Sequence, residues 1–300
     1  MKKTLSLVLA LAMCLSLAAC GNNGTQDQSS QSGSNTSASD VSSGSQQGDN
    51  SSVDAADSDW AKIESNGTMK IGITYFEPMN YFDDNGKLTG FETEFATAVC
   101  EKLGVTPEFV EINWDSKIME LQAQTIDCIW NGMTITPELQ EALTISDPYI
   151  KNYQVVVIRS DNADVYTSTA DLVGKTVEAE AGSAGEAAII GEGADESLKQ
   201  AEYISAAKQT DTLLEVKTGA ADAAVLDFVL AGAMVGQGDY SDLMIIPNLQ
   251  LSVEEYGVGF RKDSDAAEKV NEAMQALIED GTLNTLAEKY DLAELLLANQ

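Results

Sequence analysis

The chain has 300 residues, 48 of them acidic against 17 basic, no histidine, and a formal net charge of −31. That balance argues against a nucleic-acid partner, because polyanions are held by clustered Lys and Arg. The lack of histidine removes the commonest general base, the usual Ser and Cys triads and any His-ligated metal site, so neither a metal nor a cofactor is expected.

Lys2 and Lys3 precede an apolar run over 5–19 that ends in LAACG. The run is too short to span a bilayer and reads as an export signal over 1–19. Its LAAC element resembles the lipobox of bacterial lipoproteins, which implies cleavage before Cys20 and a diacylglyceryl group on the Cys20 thiol. The alternative is an ordinary secretory signal in which Cys20 is incidental. Two acyl chains suffice for stable anchoring, so a lipidated chain would sit outside the cytoplasm on the cell membrane. From Cys20 the composition changes to Ser, Gly, Gln, Asn, Thr and Asp, and 21–58 carries no aromatic residue and no Lys or Arg. Such a segment cannot bury enough apolar surface to fold, so 20–58 is expected to be a disordered tether.

A folded body begins near Trp60. Strand and helix patterns then alternate: a strand over 68–74 (TMKIGIT), a turn at DDNG over 83–86, an amphipathic helix over 91–103 stopped by Gly104, a strand over 107–112, a helix over 116–125 and a strand over 126–133. Thr136-Pro137-Glu138 then reads as a helix start, with a hydroxyl cap, a proline in the first turn and an acid beside it. NYQVVVIRS from Asn152 opens a second set: TVEAEAG from Thr176, a helix after Gly185, a strand near Tyr203, a helix over 210–218 and AAVLD from Ala223. A strand near Val253 precedes closing helices over 264–280 and 283–290. Alternation at this spacing predicts an α/β fold of parallel sheets covered by helices, and two such sets predict two lobes. Cys100 and Cys128, each flanked by apolar residues, read as buried thiols rather than a disulfide.

GITYFEPMNYFDDNGKLTGFETEFATAV, WDSKIMELQAQTIDCIWNGMTITPE, SDPY, DLVGKTVEAEAGSAGE, GAADAAVLD and the closing YGVGFRK segment stand in the order found in the extracellular solute-binding proteins of amino-acid ABC transporters. The chain resembles that family from Trp60 to about Asp291. The resemblance implies a two-lobed periplasmic-binding-protein fold with two hinge crossovers, lobe 1 comprising 59–153 and 253–300 and lobe 2 comprising 154–252. It also implies a monomer that captures an amino acid or related small zwitterionic or cationic solute between the lobes and delivers it to the permease subunits of an importer.

Strand ends and helix starts converge in such clefts. The resemblance assigns Gly132 and Thr134 to contacts with the bound solute and Asp227 to its α-ammonium group. Gly182-Ser183-Ala184-Gly185 opens a helix after a strand, so Ser183 and Ala184 offer a second set of amides to an anion. Tyr75, Phe76 and Trp114 match an aromatic wall around the ligand, with one or two of them expected in the core, and Glu77 stands at the mouth. Thr134 also fits a half-buried strand position, and Asp227 also fits a cap on the following FVLAGAM helix. Leu139 occupies the position where the family carries an Arg that forks onto the ligand carboxylate. Three options follow: amides and hydroxyls hold the carboxylate alone, a cation such as Lys151 substitutes, or the ligand is not a free α-amino acid. Some proteins on this fold are secreted dehydratases or lyases acting on small carboxylates. No catalytic pair is recognisable here, so binding without turnover is the expectation.

Overall fold

The computed structural model describes residues 58–300. The expected export signal, Cys20 and the expected tether up to residue 57 lie outside the described residues.

Helix α1 (Asp59–Asn66) leads into strand β1 (Thr68–Ile73), the hairpin β2 (Tyr81–Phe82) and β3 (Leu88–Thr89), helix α2 (Phe91–Leu103), strand β4 (Thr106–Glu111), helix α3 (Lys117–Gln122), strand β5 (Cys128–Ile129), helix α4 (Pro137–Ala142) and strand β6 (Leu143–Ile145). Helix α2 buries Phe91, Phe95, Ala96, Val99 and Cys100 as one stripe at helical spacing. It stops at Gly104, whose left-handed φ of 74° lets its N–H reach the carbonyls of the last turn. Helix α4 starts at the predicted place, with the Thr136 hydroxyl accepting from the Leu139 N–H at 3.2 Å.

The second set runs β7 (Ile150–Arg159), β8 (Thr176–Glu180), α5 (Ala184–Ile190), β9 (Glu202–Ala206), α6 (Gln209–Thr218), β10 (Ala223–Asp227), α7 (Phe228–Met234) and β11 (Leu243–Tyr256). Strand β12 (Gly259–Arg261) and helices α8 (Ala266–Glu279) and α9 (Thr282–Lys289) close the chain.

These strands build two five-stranded sheets, ordered β4-β1-β5-β12-β6 and β11-β7-β10-β8-β9. In the first, β4, β1 and β5 are parallel and β12 runs antiparallel to β5 and β6. In the second, β10, β8 and β9 are parallel and β7 runs antiparallel to β10 and β11. Each antiparallel member, β7 and β12, is the first strand after the chain passes from one sheet to the other, and no covering helix precedes it to reverse its direction. The chain enters the second sheet along β7 and leaves it along β11, and the two pair from Tyr256 opposite Ile150 to Leu243 opposite Arg159. Their near ends are tied to the first lobe, Ile150 by a bridge to Leu296 and Tyr256 by a bridge to Thr134.

The strand expected over 126–133 is short. Only Cys128 and Ile129 join the sheet, because Gly132 turns to a φ of 55° and gives its N–H to the Glu92 carboxylate instead of a neighbouring strand. Cys100 and Cys128 are both free and buried, and burial pushes the Cys100 thiol up to about 12.

Gly90, which starts α2, combines a φ of 121° with a position where a Cβ would lie 2.2 Å from the Met79 carbonyl oxygen. Because the obstacle is backbone, it cannot swing away. Gly90→Ala is expected to cost about 2–4 kcal/mol. Gly193→Ala, with nothing within 4 Å of the added carbon, should be close to neutral. Denaturant midpoints of the two variants provide the comparison.

Candidate functional site

Residues that end or follow β5, β8 and β10 meet in a cleft of about 520 Å³ between the lobes. The first lobe lines it with Trp114, Lys117, Gly132, Thr134 and Leu139, and the second with Glu180, Gly182, Ser183, Ala184, Gln209 and Asp227. Seven of the sequence-derived candidates are therefore brought together: Trp114, Gly132, Thr134, Leu139, Ser183, Ala184 and Asp227. Tyr75, Phe76 and Glu77 are not among the lining residues. Phe76 is buried behind the cleft, where its ring tip would be 2.9 Å from a Cβ on Gly132. Tyr75 packs on Phe82 with ring centroids 4.9 Å apart, and the Lys208 ammonium lies 5.6 Å from its ring centre. Glu77 lines a separate cavity with Pro78, Tyr81 and Lys289. Lys151 is also absent from the cleft lining, and its backbone N–H donates to the Leu295 carbonyl.

Asp227 is 5% exposed and sits at the N-cap position of α7, yet its side chain makes no capping bond there. Its carboxylate turns instead to three amides, accepting from Asn152 and Gln154 at 2.6 Å each and from Gln209. Burial and the nearby Glu254 carboxylate raise it to about 6, against the pull of the Gln209 and Gln154 amides. Glu254 accepts in turn from Asn152 at 3.1 Å, Gln154 at 3.0 Å and the Thr134 hydroxyl at 3.0 Å. Thr134, from the first lobe, therefore gives its hydroxyl proton to a protein carboxylate on β11.

Several donors that the sequence offered to an anion are likewise occupied. The Gly132 N–H goes to both oxygens of Glu92, at 2.8 and 3.0 Å. Glu92 is 1% exposed, also accepts from Tyr149 and Asn80, and is raised by burial to about 7. At the start of α5 the Ser183 hydroxyl accepts from the Glu186 N–H at 3.1 Å, while the Glu186 side chain accepts from the Gly182 N–H at 2.8 Å. The helix start is thus satisfied by its own acid. Leu139 packs against the apolar cluster of Ile112, Trp114, Leu121 and Met133, giving the cleft a greasy wall at that point.

Among the lining residues that the sequence reading did not single out are Lys117 and Glu180. Lys117 is 7% exposed, and its ammonium lies 4.6 Å from the centre of the Trp114 ring, donating to the Trp114 carbonyl at 3.2 Å and across the cleft to the Gly182 carbonyl at 2.8 Å. Burial lowers it, opposed by Glu180, Asp115 and Glu186. Glu180, at the end of β8, is 3% exposed, and its Oε1 is buried without a hydrogen-bond partner among the described residues. Burial first and Asp227 second raise it to about 8. Both left a trace in the sequence. Lys117 and Leu121 share the buried stripe of α3, and Glu178 and Glu180 are buried acids alternating with Val177 and Ala179 on β8.

Two α/β lobes joined by paired crossover strands, with a charged cleft between them, define a solute-binding protein. Residues 69–293 match the bacterial extracellular solute-binding proteins, family 3, and the chain belongs to that family. The L-cystine-binding protein TcyJ of Escherichia coli strain K12 is 29% identical over 232 residues, covering 76% of this chain and 84% of TcyJ. Among solved structures, the P235GK mutant of ArgBP from T. maritima is 34% identical with a TM-score of 0.71, over 78% of this chain and 99% of that one. The ancestral amino acid-binding protein AncCDT-1, described as a precursor of cyclohexadienyl dehydratase, is 31% identical with a TM-score of 0.70, over 78% and 99%.

Glu92, Glu180 and Asp227 all have carboxyls raised by burial, to about 7, 8 and 6. The folded protein holds protons there that the unfolded chain has already released, so their contribution favours folding at acid pH and is lost as pH rises through the folded values. Thermal melts of the ligand-free protein should accordingly fall from about pH 5 to pH 8, and the trend should persist near 1 M salt, where surface repulsion is screened. A flat profile at high salt would show that these carboxyls are ionised in the fold.

Proposed function

We propose that the chain is the substrate-binding component of an ABC importer, taking an amino acid or related small zwitterionic or cationic solute into the interlobe cleft and presenting it to the permease. The observation that carries this reading is the pair of opposite charges facing one cavity, buried Asp227 from the second lobe and Lys117 from the first. Membership of the family, and relatives described as binding cystine, arginine and amino acids, support it. In this reading lobe 1 spans 59–153 with 253–300, lobe 2 spans 154–252, and closure of the lobes traps the solute without turnover and without a cofactor. The dehydratase or lyase alternative has less behind it, since the three relatives are each described as binding proteins.

Asp227 takes the α-ammonium, and Trp114, Gly132, Thr134, Leu139, Ser183 and Ala184 shape the wall around the solute. Tyr75 and Phe76 support that wall from behind, and Glu77 contributes nothing direct. The carboxylate goes to Lys117. An ammonium has three protons, and the two carbonyls it meets leave one for a ligand oxygen. Lys117 thereby does the work that the Arg expected at Leu139 would have done. Upstream of the described residues, Cys20 carries the lipid that holds the mature protein, as a monomer, at the outer face of the cell membrane.

A thermal-shift screen of the folded fragment against amino acids, amines and dipeptides tests the function. A true ligand at a hundred times its dissociation constant should add about 2.7 kcal/mol of stability. Lys117→Met is expected to weaken α-amino acids about tenfold or more, as the loss of one charge-assisted bond requires, while leaving the decarboxylated amine of the same ligand unaffected. Equal losses for acid and amine would assign Lys117 to holding the lobes together. For the anchor, Cys20→Ser should leave the precursor uncleaved or release the protein from the membrane fraction; unchanged processing and retention would mean an ordinary signal.

A further inference from the structure

Glu180 is the least explained group in the cleft. It is 3% exposed, it lines the cavity, and its Oε1 has no hydrogen-bond partner among the described residues. A carboxylate taken out of water without donors is costly, and the usual resolution is a partner or a proton. The donors around it are shared: the Gln209 amide is hydrogen-bonded to Asp227 and also draws on the Glu180 carboxyl, and Lys117 lies on the carbonyls of Trp114 and Gly182, which leaves Oε1 without a partner among the described residues.

We propose that Glu180 is the specificity-determining contact of the cleft, receiving on Oε1 a cationic group at the far end of the ligand, distinct from the ammonium held by Asp227. The inference rests on the amino-acid reading above and narrows it to solutes whose side chain ends in an ammonium or guanidinium. Polarity within the cleft agrees with this. Its lining carries four carboxylates, Glu138, Glu180, Glu186 and Asp227, against one ammonium, so a zwitterion would leave it negative and a ligand with one further positive charge suits it better. Glu186 is already bonded to the Gly182 N–H and to Tyr203, whereas Glu180 lines the cavity with its Oε1 unpaired among the described residues.

The same site couples capture to a proton. Asp227 on β10 and Asp211 on α6 push the Glu180 carboxyl up, while Lys117 on α3 and the Gln209 amide on α6 pull it down, and with burial the balance stands at about 8. The empty cleft near neutral pH therefore holds Glu180 largely as the acid. A cationic group arriving at Oε1 binds the carboxylate, so a proton leaves Glu180 for solvent as the ligand enters.

Arginine and citrulline give the test, since they share shape and differ in the charge at that end. Calorimetry on the wild type near pH 8.5 should show arginine binding about tenfold or more tightly than citrulline, consistent with a charge-assisted contact. At about pH 6.5 the advantage should shrink, and titration in two buffers of different ionisation enthalpy should count protons released with arginine but not with citrulline. Glu180→Gln should abolish the preference for arginine over citrulline and the proton release that goes with it. Equal binding of the two ligands by the wild type, or a preference that survives in Glu180→Gln, would overturn the role of Glu180 and leave the amino-acid reading standing. Failure of both ligands and of every other amino acid to bind would overturn both. The wild-type pH dependence decides the matter even where the variant folds poorly.

Discussion

The structure depends on a small group of carboxylates that are kept dry at the seam between two lobes. Asp227 on β10 and Glu254 on β11 lie on the two strands that flank β7 in the second sheet, and Asn152 and Gln154 on β7 each donate to both of them. Two like charges in a low-dielectric seam repel, and only the shared amide donors make their proximity tolerable. Because β7 and β11 are also the two strands that cross between lobes, the network fixes the crossovers and positions the anionic end of the cleft at the same time. Thr134 extends it into the first lobe through its bond to Glu254.

A second dry network stands behind the first lobe's wall. Glu92 receives the Gly132 N–H, Asn80 and Tyr149, and Asn131 receives the Thr74 N–H and Asn80. It explains why the chain after β5 leaves the sheet instead of continuing as a strand. A backbone turned away from its neighbours needs other partners for its polar groups, and Glu92 supplies one from the first turn of α2. The cleft wall is thus held from behind by hydrogen bonds, and from the side by the apolar packing of Leu139, Met133 and Trp114.

Against this frame the free groups stand out. Amides and hydroxyls that first seemed available to an anionic ligand are answered by Glu92, Glu186 and Glu254. Among the side chains left with unfilled hydrogen-bonding capacity are Lys117, which meets two carbonyls, and Glu180, whose Oε1 has no partner among the described residues. In the proposed reading the cleft selects its solute through these two side-chain charges.

Much was legible in the chain itself. Gly104 and Thr136-Pro137 marked helix boundaries because φ, capping and proline chemistry are local properties, decided within a few residues. The alternation of strand and helix announced two α/β lobes, and the end of AAVLD announced a buried acid in the cleft. The direction of the returning strands, the early end of the strand at Gly132 and the partners of Asp227 were decided by contacts 18 to 102 residues apart along the chain, among them Gln209 with Asp227, Glu92 with Gly132 and Asn152 with Glu254. Local pattern carries no record of such pairings. Lys117 and Glu180 belong to the same class. Their chemistry could be read from the sequence, but whether a charge on a buried stripe faces the core, a partner or a cavity is settled only when the second lobe arrives opposite it, since the cost of an unpaired buried charge depends on what the whole fold places within a few ångströms of it.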